Sequence, residues 1–152
     1  MENKKEDIID ILNGLVEINN DRIEGYQRAS DETKAADLKS LFATMADQSR
    51  TFRQQLAEEV IRNGGTPKEG TTNSGKLYRI WMDVKAALSA NDRKAVLSNC
   101  EFGEDAAQEA YNDALKDEDF QRTFDSALVR KQRDDLKQSH DKIRTLRDAV
   151  SI

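Results

Sequence analysis

Histidine is scarce in this sequence, and its placing limits the chemistry the chain can do. His140 is the only one, in "DLKQSHDKIRTLRD", residues 135 to 148, near the end of a long run with helical spacing. Upstream, residues 100 to 105 read "CEFGED", which puts Cys100, Glu101, Glu104 and Asp105 within about one and a half helical turns. Glu101 and Glu104 are three apart and share a helix face. Together with the His140 imidazole they are the candidates for a reduced metal site, taking iron or manganese, or for a small-ligand pocket. The competing reading is structural. A glutamate on an inward face and a histidine near a helix end then belong to a hydrogen-bonded layer that fixes helix register. The sequence favours the structural reading, with no cofactor.

A di-iron centre in a helical bundle needs a glutamate from each of two helices and a Glu-x-x-His from each of the other two. The chain cannot supply this. Its one histidine is preceded three residues earlier by Lys137, and "ADQSRTF" at the equivalent depth of the second helix holds no histidine. Cys100 falls on an apolar stripe with Val96 and Ala107, which suits a small core residue better than a reactive thiol. No Gly-rich phosphate loop, Cys-x-x-Cys pair or Gly-x-Ser-x-Gly elbow occurs.

The elements that must position these residues are four long helices. Ile8, Leu12, Leu15, Asn19, Ile23 and Tyr26 make the stripe of the first, with a capping box expected at Asn3 and Glu6. Leu38, Leu41, Phe42, Met45, Phe52, Leu56 and Val60 make the second, which stops at Gly64-Gly65 with Pro67 beyond. Residues 64 to 75, "GGTPKEGTTNSG", are a loop. A shorter amphipathic piece follows, with Leu77, Trp81, Val84 and Leu88 inward and Trp81 and Tyr78 as anchors. Asn91 is the expected N-cap of the third long helix, from about Asp92 to Lys116, with Val96, Cys100, Glu104, Ala107, Tyr111 and Ala114 inward. After an acidic turn, "KDEDF", the fourth helix continues to near the C-terminus, with Phe124, Leu128, Leu136, Ile143, Leu146 and Val150 inward.

Short links join the first pair and the last pair of helices, and a long crossover with its own helix joins the pairs. That is the connectivity of a ferritin-like four-helix bundle, so the fold class expected is all-α over a single domain, residues 1–152. The stripes carry polar residues at Asn19, Gln48 or Ser49, Glu104, Gln132 and His140. A turn at residues 117 to 120 sets Glu104 level with Gln132 and Arg133, and Asn19 level with Ser49. His140 then lies ~12 Å along the axis from Gln132. On this reading Glu104→Gln changes stability by about 1 kcal/mol or less in either direction.

The charge pattern excludes some partners. Lysine and arginine total 24 against 29 aspartate and glutamate, a net charge of −5, so no general basic field attracts nucleic acid. No apolar run reaches the ~18 residues a membrane span requires, and no secretory leader is recognisable. A single cysteine excludes an internal disulfide. A cytoplasmic protein that touches neither nucleic acid nor membrane is expected, with self-association into a homo-oligomer as the open possibility.

Three stretches carry a resemblance: "LVEINNDRIEGYQRASD", "LYRIWMDVKAALSANDRKAVLSNCEFGEDAAQEAY" and "HDKIRTLRD". Together they resemble a bacterial ferritin-like family of unassigned function, over nearly the whole chain. The most specific part is the Cys-Glu-x-Gly-Glu-Asp motif. The resemblance implies a bundle related to the rubrerythrin and bacterioferritin folds, with no established activity. Glu101, Glu104, Asp105 and His140 match that family's own motifs. The expectation is a non-enzymatic structural or interaction protein without a complete di-iron site. The alternative is a divergent metal-binding protein or oxidoreductase with a reduced carboxylate/histidine site.

Overall fold

The computed structural model describes residues 2–150, and side chains for residues 4–150. Six helices follow in order: α1 (Glu2–Glu32), α2 (Ala36–Arg62), α3 (Gly75–Ser89), α4 (Arg93–Lys116), α5 (Glu118–Gln121) and α6 (Asp125–Asp148). No strand occurs among the described residues. The capping box expected at Asn3 and Glu6 depends on the Asn3 side chain, which lies outside the described residues. The all-α expectation holds.

α1, α2 and α4 bury most of the stripe their periodicity announces, whereas of the stripe read for the fourth helix Leu136 and Ile143 are buried and Leu128, Leu146 and Val150 are half-buried. Leu12, Tyr26, Phe42, Leu56, Leu97, Tyr111 and Ile143 are fully buried, and such side chains each contribute roughly 1.5–3 kcal/mol by leaving water. α1 packs along α2, and α4 along α6, while α3 lies mainly on α4 with α1 as its second neighbour. The apolar core falls into two clusters. One gathers Leu12, Leu15, Leu56, Tyr111, Phe120 and Leu136. The other gathers Tyr26, Phe42, Val84, Leu97, Cys100 and Ile143.

Two of the connections are set by left-handed residues. Asn63 ends α2, Gly64 follows at φ 90°, and the Gly64 and Gly65 N–H groups bond the Ile61 and Val60 carbonyls at 2.9 Å. This is the Schellman pattern, in which a residue at positive φ satisfies the last carbonyls of the helix. The end of α3 repeats it with Asn91 at φ 52°, whose N–H reaches Leu88 while that of Asp92 reaches Ala87. Asn91 is therefore not the N-cap of α4. Asp92 is, accepting the Ala95 N–H at 3.0 Å. Asparagine is among the side chains that best tolerate the left-handed region, so Asn91 closes one helix and leaves capping of the next to its neighbour.

The far hairpin differs from the expectation in a second way. Asp117 caps α5 by accepting the Phe120 N–H at 2.9 Å, and the chain then bends before α6. Phe120 is fully buried, whereas Phe124, expected inward, is 100% exposed. The extra turn shifts the phase, so the aromatic four residues earlier takes the inward slot. It also moves the centre of the hairpin. Gln132 stands level with Tyr111, and the Gln108 amide reaches the Arg133 carbonyl at 3.0 Å. Glu104, seven residues before Tyr111 and four before Gln108, is thus between about one and two turns away from its expected level.

Candidate functional site

The centre of the bundle holds a charged pair. Arg22 of α1 meets Glu104 of α4 through both arms of its guanidinium, Nε to Oε2 and Nη2 to Oε1, each at 2.8 Å. The pair is sealed, with side chains 3% and 1% exposed. Arg22 also donates from Nη1 to the Ser49 hydroxyl of α2 at 2.8 Å and to the Met45 carbonyl at 3.3 Å. Its guanidinium carbon lies 5.2 Å from the centre of the Tyr26 ring. Burial works against the guanidinium charge, but the Glu104 charge and hydrogen bonds outweigh it and hold Arg22 above its ordinary range. Such a paired, multiply bonded arrangement is what a charge needs to stay ionised away from water.

Next to the pair runs a neutral chain of hydrogen bonds. Asn19 Nδ2 donates to the Tyr111 hydroxyl at 2.8 Å, Tyr111 donates to Gln132 Oε1 at 2.7 Å, and Gln132 Nε2 donates to Gln55 Oε1 at 3.0 Å. One polar layer thus links α1, α4, α6 and α2. Of the polar residues read on the stripes none bonds another directly: Asn19 and Gln132 are joined through Tyr111, Ser49 and Glu104 through Arg22, and His140 lies apart from the layer. Ser49 bonds Arg22, and Glu104 does not meet Gln132. Burial pushes the Cys100 thiol up, and the nearby Glu104 charge adds to it. A fully buried thiol held protonated is a core group and not a nucleophile.

Arg22 escaped the sequence reading. It stands three residues after Asn19 and four before Tyr26, on the stripe. A cation in that slot was the available signal that an acid elsewhere faces inward.

Trp81 seals the layer from the α3 side. Its indole lies against two helices where glycine leaves room. A Cβ at Gly25 would come 2.3 Å from the ring, and one at Gly103 3.1 Å. Tyr26 meets it edge-on, centroids 5.0 Å apart. The glycine of "CEFGED" is therefore a seat for Trp81, which anchors the crossover as expected, whereas Tyr78, expected to share that role, is 70% exposed and does not. The Trp81 indole N–H, the Tyr26 hydroxyl and the Asn19 side-chain carbonyl are buried without a protein partner.

The remaining candidates sit elsewhere, at the α4–α6 seam. His140 Nε2 is 2.7 Å from Asp105 Oδ1 and 3.6 Å from Glu101 Oε2, and Nδ1 is 3.1 Å from Asp141. Arg147 pairs with the other oxygen of Glu101. The His140 hydrogen bond, and then Lys137, hold the Asp141 carboxyl below its usual range. Glu101 and His140 are thus brought together, with Asp105, while Glu104 turns inward to Arg22. Among the described residues, no group of three histidine, cysteine or acidic side chains is placed to hold a metal ion, and no helix is long and apolar enough to cross a membrane. The residues present do not fit a di-iron centre, because the central carboxylate already carries a guanidinium.

Fold and site together define an all-helical protein whose interior is organised around a buried arginine–glutamate pair. Residues 7–117 match the family described as a domain of unknown function, DUF2383. That covers well over half of the chain, which belongs to this family. No curated protein is a match to the sequence. The matched segment includes Arg22, Trp81 and the whole of "CEFGED", and stops before α6 and His140.

Proposed function

We propose that this protein is a ferritin-like bundle turned to a structural or interaction role, without enzymatic activity. One observation carries the reading: the central inward carboxylate, Glu104, is bonded at both oxygens by Arg22. In a metal-carrying bundle an inward carboxylate meets a cation delivered from solution. Here a cation from the chain itself takes that place. The helix order, with one long crossover between two hairpins, is the connectivity such bundles use. Interaction surface is available in the exposed Phe102, Tyr78, Ile61 and Phe124, and self-association into a homo-oligomer is the form this reading takes.

The alternative reading, a divergent metal site with iron or manganese, rests on His140 standing beside Asp105 and Glu101. It requires Glu101 to release Arg147. Thermal unfolding with and without iron, manganese and zinc separates the two, with elemental analysis of protein purified without chelator. The proposal expects no bound metal and no metal-induced rise in Tm. A stoichiometric metal whose stabilising effect disappears in Glu101→Gln and His140→Gln would establish the alternative instead.

A further inference from the structure

The linker between α2 and α3 is held more firmly than a simple connection requires. Asn13 of α1 clasps its backbone twice, donating to the Thr66 carbonyl at 3.0 Å and accepting the Lys68 N–H at 2.9 Å. About two helical turns later, Asn20 donates to the Gly70 carbonyl at 2.8 Å, and Asp21 accepts from the Thr72 hydroxyl at 2.6 Å. Asn13 and Asn20 are 6% and 5% exposed. The linker is thereby fixed along α1 and held off α2, and an open groove of about 720 Å³ lies between them.

The groove has a polar side with a definite sign. Arg50, Arg53 and Lys68 line it, and Glu69 is the one acid among its lining residues. In a chain of net charge −5 this is a local reversal. Arg50 is already engaged by Asp47 at 2.6 Å. Arg53 is half-buried and has no carboxylate within ion-pair distance among the described residues; its one hydrogen bond is to Asn20 Oδ1 at 3.2 Å. Asn20 therefore does two things at once: one end of its amide fixes the linker, and the other orients a guanidinium into the groove. A guanidinium has five donors suited to oxyanions, so most of the donors of Arg53 are left for a ligand. The floor includes the half-buried Ala57 and Pro67, over the fully buried Val16, and the volume lies in the range of small-molecule sites.

We propose that this groove binds a small organic anion, its phosphate or carboxylate held by Arg53 and Lys68 and its apolar body on Ala57 and Pro67. The site is independent of the Arg22–Glu104 pair and of any function assigned to it.

The test is amide NMR titration of the full chain with inorganic phosphate, phenyl phosphate and phenylacetate, at constant ionic strength. The expected result is saturable shifts confined to residues 50–57 and 66–70, with phenyl phosphate or phenylacetate binding more tightly than inorganic phosphate. Which of the two binds better identifies the anion. Arg53→Gln should weaken binding about tenfold or more, the worth of one charged hydrogen bond. Lys68→Gln, at an exposed position that does not threaten folding, should weaken it less. The proposal is overturned if no probe gives saturable shifts in the groove, if sodium chloride reproduces them, or if both variants bind as the parent does.

Discussion

Glu101 and Glu104 are the same residue type, three positions apart on one helix, and they lead different lives. Glu104 is 1% exposed and closed on both oxygens by Arg22, inside a layer that four helices share. Glu101 lies at the α4–α6 seam, with Arg147 and His140 as neighbours and solvent at the edge. An ion pair in a sealed interior cannot exchange a lost partner for water, whereas a pair at a seam can. Identity and spacing therefore say little about how much a carboxylate matters. What faces it decides.

The comparison is broken most severely by taking away the buried cation. Arg22→Ala leaves Glu104 without a counter-charge, and a loss of about 3–5 kcal/mol is expected in chemical denaturation. Glu104→Gln should cost a comparable amount, because it strands the Arg22 guanidinium in turn. The sequence expectation of a mild effect rested on the shape and hydrogen-bonding capacity that glutamine keeps, and did not include the buried Arg22 charge. A cost under about 1 kcal/mol for either would mean that water reaches the pair.

The seal over the pair is tested from the other side by glycine. Gly25→Ala drives a Cβ into the Trp81 ring and is expected to cost about 1–3 kcal/mol through overpacking. Gly14→Ala, on the same helix with nothing within 4 Å of the added atom, should stabilise by about 0.5–1 kcal/mol, the helix advantage of alanine. If the two changes behave alike, Trp81 is not a fixed lid.

A third carboxylate gives a pH test. Glu59 stands next to Asp125, and that hydrogen bond, together with burial, pushes its carboxyl up to about 7. The folded state then binds a proton more tightly than the unfolded chain between the ordinary glutamate range and about pH 7. Stability should fall as pH rises through that window. Glu59→Gln should flatten the dependence and stabilise the protein above pH 7 by on the order of 1 kcal/mol, moderated by solvent at this end of the molecule. A parent whose stability rises through the same window contradicts the shared proton.

The smallest effect is expected at the seam. His140→Gln exchanges one set of hydrogen bonds to Asp105 and Asp141 for another and should change stability by about 1 kcal/mol or less. A larger loss would place the seam on a par with the centre and remove the contrast.

Much of the fold was legible because it is written in periodicity. The stripes of α1, α2 and α4 are buried almost residue for residue. The Gly64 terminus could be read because glycine has one common use after a helix. What escaped depended on phase and partners. Asn91 and Asp92 are both good caps in isolation, and only the left-handed turn at Asn91 assigns the role to Asp92. Phe120 and Phe124 fit the same stripe until the α5 turn selects one of them. At the candidate site Glu104 was legible as inward, but Arg22, 82 residues earlier in the chain, was not. A charge on an apolar stripe signals burial without naming what it meets.

The central claim, that the inward carboxylate is neutralised by the chain's own arginine, is tested most directly by a double-mutant cycle. Arg22→Met, Glu104→Leu and the double variant are unfolded in denaturant, each with and without EDTA. Each single change should cost about 3–5 kcal/mol, and the double variant should recover most of that loss, because no charge is left unpaired. EDTA should alter none of the four curves. Additive losses in the double variant, or a parent that EDTA destabilises while the Glu104 variants stay unaffected, would contradict the account and return the centre of the bundle to a metal.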